Sequence, residues 1–440
     1  MNFLKKLLLT IITISVVASI SLTLMGCPPA APVAEETTPE ETAEALPIEE
    51  VPPPFSQLIE EIPPETLTAE KATEITPVEG VKGELAVEFY TLSLISLDGG
   101  SPRSLGFHLA TFSTFHWSPD GQKIVFIKFG DVWVINIDTN QIENITNTPE
   151  HYEEYPCFSP DGKMIAFISS KIDPGADVFD ESKSPVGSDI GRLTLVNSDG
   201  TNYRVLDSQP VKDFTWSPDS RQIAYSIDGD LYIFSLDTNQ FNHISLVDYG
   251  LSYNFLACSP AWSPQGDAIA IFLYSKHKLE EKSIQHAHAI LYLTDHTSKI
   301  IKSYTTTATM AYEGHPIGEH IGGCAQRPAL WSPSGKWLLL TINYIPRTDL
   351  NHASCWLIDS HGEQVRSLGS TIYGVASIDW SPDEKWVAFI DGYDSSLRVV
   401  NPMNPEEEYQ VIKGYNEEGF LDIGAKPCDS LAWRPIKNKQ

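Results

Sequence analysis

A five-residue motif recurs along the chain and limits what it can fold into. It reads Trp117-Ser118-Pro119-Asp120-Gly121 at its first appearance. It returns as Phe158-Ser159-Pro160-Asp161-Gly162, Trp216-Ser217-Pro218-Asp219-Ser220, Trp262-Ser263-Pro264-Gln265-Gly266, Trp331-Ser332-Pro333-Ser334-Gly335 and Trp380-Ser381-Pro382-Asp383-Glu384. A degenerate copy stands at Trp433-Arg434-Pro435. The spacing is elastic: the shortest step runs from 117 to 158 and the longest from 262 to 331. Repetition at this period signals an array of like units. A fixed motif with variable spacing gives each unit a constant frame and a loop of its own length.

The physics of the motif is local. An apolar run ends at the aromatic residue, and proline, which has no N–H, suits a strand end or turn start. Asp-Gly then makes a tight turn, because glycine takes positive φ without steric cost. A second run follows, as in Lys123-Ile124-Val125-Phe126-Ile127 and Met164-Ile165-Ala166-Phe167-Ile168. Its β-branched and aromatic residues predict a buried strand. A third strand is expected at runs such as Val132-Trp133-Val134-Ile135 and Leu231-Tyr232-Ile233-Phe234, then a polar turn and a short fourth strand. Radial repetition of four antiparallel strands is the β-propeller arrangement.

The Trp-Ser-Pro-Asp-Gly-x-x-Ile-Ala-Phe pattern resembles the TolB-type, WD40-like propeller family built of PD40 repeats, over roughly residues 84 to 435. The resemblance implies an all-β propeller; the family it points to includes partners of envelope complexes, peptidase-associated propellers and a few enzymes. Counting motif strands and third-strand runs gives seven blades. The last motif strand, near Trp433, has nothing after it, and the first third-strand run, near Leu92, has no motif before it. The C-terminal strand is therefore expected to complete the N-terminal blade, which leaves no open edge at the seam.

Residues 1–26 read as a secretory signal: basic Lys5 and Lys6, then an apolar run from Leu7 to Leu24. Leu24-Met25-Gly26-Cys27 resembles a bacterial lipobox, which implies cleavage before Cys27 and its lipidation. Residues 27–80 form an acidic tether rich in Pro, Glu and Thr, with thirteen glutamates against the single Lys71. Such a segment buries too little apolar surface to offset its ordering entropy. The propeller is expected over 81–440, held outside the cytoplasm on the cell membrane. The net charge of −28 argues against nucleic acid as a partner.

In a four-stranded meander the motif turns lie on one rim. The links between second and third strands, and between blades, lie on the other. The long insertions all fall on this second rim, and binding residues tend to ride on loops over a rigid scaffold. Candidate contacts are Tyr253, Phe255, Tyr312, His315, His320, Arg327, Tyr344 and His352, with Tyr249 on a neighbouring loop. Aromatic groups with a few polar ones suit an envelope or extracellular protein, a peptide or a glycan. This reading is non-catalytic and needs no cofactor.

The alternative is a metal-assisted polysaccharide lyase or hydrolase at the channel mouth. It would draw on His286, His288, His315 and His320, since imidazole suits transition metals. Seven-bladed oligogalacturonate lyases hold a metal in that way, though their motif has no residue-by-residue match here. The acidic stretch from Asp173 to Asp189 lacks calcium-loop spacing. No Gly-x-Ser-x-Gly nucleophile elbow occurs. Five cysteines follow Cys27, and a Cys258–Cys324 bridge between adjacent blades is one arrangement alongside unpaired buried thiols.

Overall fold

The computed structural model describes residues 75–88, 92–105, 115–172, 191–207, 209–211, 213–227, 229–252, 255–275, 283–307, 329–342, 354–368, 375–391, 396–412 and 431–435. Two units divide the chain at residue 60, and the first lies outside the described residues. Residues 61–440 carry seven sheets, each of four antiparallel strands. The seven-bladed propeller is therefore observed. Blade 2 shows the pattern, from channel to outside: Phe115–Trp117, Lys123–Lys128, Asp131–Asn136 and Ile142–Asn144. The innermost strands of blades 3 to 7 are His151–Phe158, Asp213–Trp216, Phe255–Trp262, Ala329–Trp331 and Val375–Trp380.

Blade 1 closes the ring as expected. Its innermost strand is Leu431–Trp433, paired with Glu84–Glu88 in the register Leu85↔Trp433, Ala86↔Ala432 and Val87↔Leu431. The departure from the motif at Arg434 has a structural reason. Its guanidinium pairs with Glu84 at 2.6 Å, donates to the Gly121 carbonyl at 2.7 Å and lies over the Trp117 ring. One side chain thus joins blade 1 to the first turn of blade 2.

Seven clusters of buried apolar side chains fill the seven joints between blades. The clusters flanking the seam are as complete as the others. Leu85, Ile95 and Trp433 meet Ala388, Ile390 and Val399 on one side, and Leu92 and Leu94 meet Phe126 and Trp133 on the other. Ile75 is also buried in the first of these, and the Thr76 amide donates to the Val411 carbonyl. Ordered packing thus begins ahead of the boundary expected at residue 81.

The motif tryptophan has a second role beyond filling a joint. Its indole N–H donates to the carbonyl of the residue preceding the motif aromatic in the previous blade. Trp117 bonds Ala432 at 3.1 Å, Trp216 bonds Cys157 at 3.4 Å, Trp331 bonds Ala261 at 2.9 Å and Trp380 bonds Leu330 at 3.3 Å. Phe158 has no N–H to give. At the other two motif positions the indole N–H finds no acceptor, and the backbone amide takes over: Trp262 reaches Thr215 Oγ1 and Trp433 reaches Asp379 Oδ2.

Candidate functional site

The two rims of the ring are built differently. On the turn rim the motif serine accepts a backbone N–H five residues on, as Ser217 does from Gln222 at 2.8 Å and Ser381 from Trp386 at 2.9 Å. The same hydroxyl donates to the motif aspartate: Ser118 to Asp120, Ser159 to Asp161, Ser217 to Asp219 and Ser381 to Asp383, all between 2.6 and 2.7 Å. The aspartate then accepts the amide two residues on. The fifth motif position has positive φ throughout, including Ser220 at 62° and Glu384 at 60°. Both non-glycine side chains bond the turn of the preceding blade. Ser220 Oγ accepts the Asp161 amide, and Glu384 accepts the Ser334 hydroxyl at 2.8 Å.

The ionisation of these aspartates follows from that wiring. The Ser217 hydroxyl leads the causes that hold Asp219 below the usual carboxylate range. Partial burial works against ionisation at Asp161 and Asp383. The hydroxyl of Ser159 or Ser381 and the amide and ammonium of Lys163 or Lys385 outweigh it, so both carboxyls also sit low.

The loop rim carries every long link. Within blades 3, 5 and 6 these run from Lys171 to Arg192, Ser275 to Ser283 and Ile342 to Ser354. Into blades 2, 5, 6 and 1 they run from Ser104 to Phe115, Ile244 to Phe255, Thr307 to Ala329 and Ile412 to Leu431. Links on the turn rim are all short, as from Asn197 to Arg204.

Just beneath the loop rim, at the joint of blades 2 and 3, two carboxyl groups meet. Glu153, on the innermost strand of blade 3, is fully buried. Thr148 Oγ1 lies 2.5 Å from Glu153 Oε1 and 3.3 Å from Asp131 Oδ1. Thr146 Oγ1 lies 3.3 Å from Glu153 Oε2 and 3.4 Å from Asp131 Oδ1. Desolvation pushes the Glu153 carboxyl up to about 8, with the Asp131 charge adding to it and the hydroxyls of Thr148, Thr146 and Ser169 opposing.

A cavity of about 310 Å³ lies against the axial channel, lined by the innermost strands of blades 2 to 6. Its polar wall consists of His116, Tyr155, Asp213, Thr215 and Ser259, with Cys157 beside them. Two of the strands carry a bulge here. Tyr155 and Ser259, each three residues before the motif aromatic, take positive φ of 55° and 50°. The bulge re-aims the Ser259 amide onto Asp213 Oδ2 of the preceding blade at 2.6 Å, while Ser226 donates to Asp213 Oδ1.

Of the sequence candidates, Tyr253, Tyr312, His315, His320, Arg327, Tyr344 and His352 lie outside the described residues, as do Cys27 and Cys324. Phe255 is not on a loop; it opens the innermost strand of blade 5. Tyr249 is buried in the joint of blades 4 and 5, so it packs the scaffold and does not face a partner. His286 and His288 share the strand Ser283–Tyr292, opposite Tyr274 and Phe272. His288 is buried against the Phe272 ring at 5.1 Å. Among the described residues no group of three or more His, Cys, Asp or Glu is placed to hold a metal ion. The cavity wall and the carboxyl pair were not singled out by sequence. The signal for the wall was the extra length before the motif in His151–Phe158 and Phe255–Trp262.

No family model matches the chain. It is 30% identical over 150 residues to dipeptidyl-peptidase 5 of Porphyromonas gingivalis, covering 30% of this chain and 20% of that protein. It is 24% identical over 211 residues to the uncharacterized peptidase YuxL of Bacillus subtilis, covering 44% of this chain and 30% of that protein. The chain thus matches less than a third of the length of each curated relative. Among solved structures, an oligogalacturonate lyase from Vibrio parahaemolyticus superposes with a TM-score of 0.50 at 12% identity, over 76% of this chain and 93% of that one. TolB from Acinetobacter baumannii gives a TM-score of 0.42 at 15% identity, over 64% and 62%. At such identities the likeness is one of fold, and function has to be argued from the site.

Proposed function

We propose that this chain is a non-catalytic binding propeller, anchored to the bacterial cell membrane through lipidated Cys27, whose loop rim engages an envelope protein, peptide or glycan. The observation that carries the reading is the asymmetry of the rims. Seven blades spend their short, cross-bonded turns on one side and all their long links on the other. A scaffold that varies only one rim presents that rim.

The test is a capture experiment from native envelope. Tyr312→Ala with Arg327→Ala should weaken capture at least about tenfold, since Tyr and Arg are common energetic anchors worth ~2 kcal/mol or more. Gln122→Ala with Lys163→Ala, beside the Asp-Gly turns, should leave it unchanged. The reverse pattern would move the working face to the turn rim. Anchoring is tested by Cys27→Ser, which should release the protein from the membrane fraction or leave the precursor unprocessed.

A further inference from the structure

We propose that blades 2 and 3 are joined beneath the loop rim by a proton-dependent clasp, in which Glu153 donates its carboxyl proton to Thr148 and Thr148 donates its own to Asp131. This is independent of what the loop rim binds.

A count of protons at the joint leads to the clasp. Asp131 starts the third strand of blade 2 and Glu153 lies on the innermost strand of blade 3. Among the described residues, two hydroxyls bridge them. Thr146 Oγ1 already accepts the Val132 amide at 3.0 Å, so it has one proton to offer, yet it lies within 3.4 Å of both carboxyls. Thr148 Oγ1 is placed in the same way between both. Asp131 is otherwise served, by the Thr148 amide at 2.9 Å and Asn144 Nδ2 at 2.8 Å. Among the described residues, the partners of the Glu153 carboxyl are hydroxyls, the third being Ser169 at 3.5 Å. With both carboxyls ionised, the protons of Thr146, Thr148 and the more distant Ser169 face a fully buried charge on Glu153 and a half-buried one on Asp131. One added proton on Glu153 Oε1 completes a chain from Glu153 through Thr148 Oγ1 to Asp131 Oδ1. At 2.5 Å the two oxygens are in direct hydrogen-bond contact, so a single proton lies between them.

Other groups facing the pair leave that balance in place. On blade 3 the row Glu153, Ser169, Arg192 runs across three strands, which puts Arg192 two strand spacings away, about 10 Å. His151 and Lys171 are paired two rows nearer the rim. The Tyr203 hydroxyl donates to Ser169 at 3.2 Å. On blade 2, Lys128 is opposite Asp131 in register, with its ammonium 5.8 Å from the Trp133 ring centre. Desolvation of Glu153 outweighs their influence and keeps the proton in place at neutral pH. In alkaline medium the proton leaves, two charges confront each other, and the joint opens from the rim side.

The test is hydrogen–deuterium exchange of the full chain across the neutral to alkaline range. Amides of 131–158 are compared with those of the strand Ala268–Ser275 in blade 5, so that the intrinsic base dependence cancels. Protection of 131–158 should fall about tenfold or more relative to the reference as the medium passes the Glu153 range. Glu153→Gln keeps an acceptor, adds an N–H and should flatten the response. Thr148→Ser should behave as the parent, whereas Thr148→Val should show the low protection at every pH. A flat parent profile, or a Glu153→Gln profile that still falls, would overturn the clasp. So would an infrared spectrum at neutral pH in which Glu153→Gln removes no protonated-carboxyl band.

Discussion

The turn rim and the loop rim are made by the same strands, yet they obey different rules. On the turn rim a serine, an aspartate and a residue of positive φ are repeated almost blade by blade, and each repeats a bond to its own backbone or to the next turn. On the loop rim no such motif recurs, and the links range from the two residues between Lys128 and Asp131 to the twenty-one between Thr307 and Ala329. The difference teaches where repetition comes from. Residues recur when every blade poses the same backbone problem, namely how to end one strand, turn and start the next beside a neighbour. The loop rim poses no such common problem, so its residues are free to answer to something outside the ring.

Breaking the turn rim at the seam should have the largest effect. Removing residues from Leu431 onward takes away the innermost strand of blade 1, the acceptor for the Trp117 indole and the Arg434–Glu84 pair. The truncated chain should lose its cooperative thermal transition by circular dichroism. Trp433→Ala alone should cost about 3–5 kcal/mol, as for other buried aromatic residues. An unchanged transition would mean that the ring holds without its seam.

The next effect separates the rims by pH. Asp161, Asp219 and Asp383 are held low in the fold, so the stability they contribute is present above the unfolded carboxylate range and is lost in acid. Glu153 does the reverse. Between its ordinary value of 4.5 and about 8 the folded state binds the proton and the unfolded state does not, so stability falls as pH rises through that window. The full loss is about 5 kcal/mol. Chemical denaturation at several pH values should show it, and Glu153→Gln should raise stability in the alkaline arm while leaving the acid arm alone. Equal effects on both arms would dissolve the distinction between the rims.

Much of this frame was legible in the chain. The motif gave the blades and its count gave seven, because each turn is built by near neighbours in sequence; the closure followed from a motif strand left over at Trp433 and one lacking before Leu92. What stayed hidden depends on the next blade. Nothing around Glu153 in His151-Tyr152-Glu153-Glu154 marks one glutamate as buried and the next as half-buried; the contrast comes from Asp131 and Thr148 across a joint. His288 looked like a ligand by its spacing from His286, yet the packing of blade 5 covers it. The loop candidates around Tyr312 and Arg327 lie outside the described residues, so their expectation stands as a proposal.

The smallest effect is the sharpest probe of a single turn. Ser217→Ala removes the acceptor of the Gln222 amide and the donor to Asp219 at a buried position. A loss of about 1–2 kcal/mol is expected in a denaturant midpoint, the usual cost of leaving a buried amide without its partner. No loss would mean that proline and positive φ set the turn without help from side chains.

Closure by the last strand also sets a timetable for the protein's birth. The ribosome delivers Glu84–Glu88 more than three hundred residues before the strand that lies against it. At roughly 5–20 residues per second, the partner arrives on the order of tens of seconds later. Throughout that interval the first blade offers an unpaired edge, the kind of surface on which nascent chains pair wrongly with one another. The Leu85↔Trp433 register therefore makes delivery of Trp433 the event that seals the ring, and gives whatever escorts the growing chain a reason to hold the first blade's strands until then.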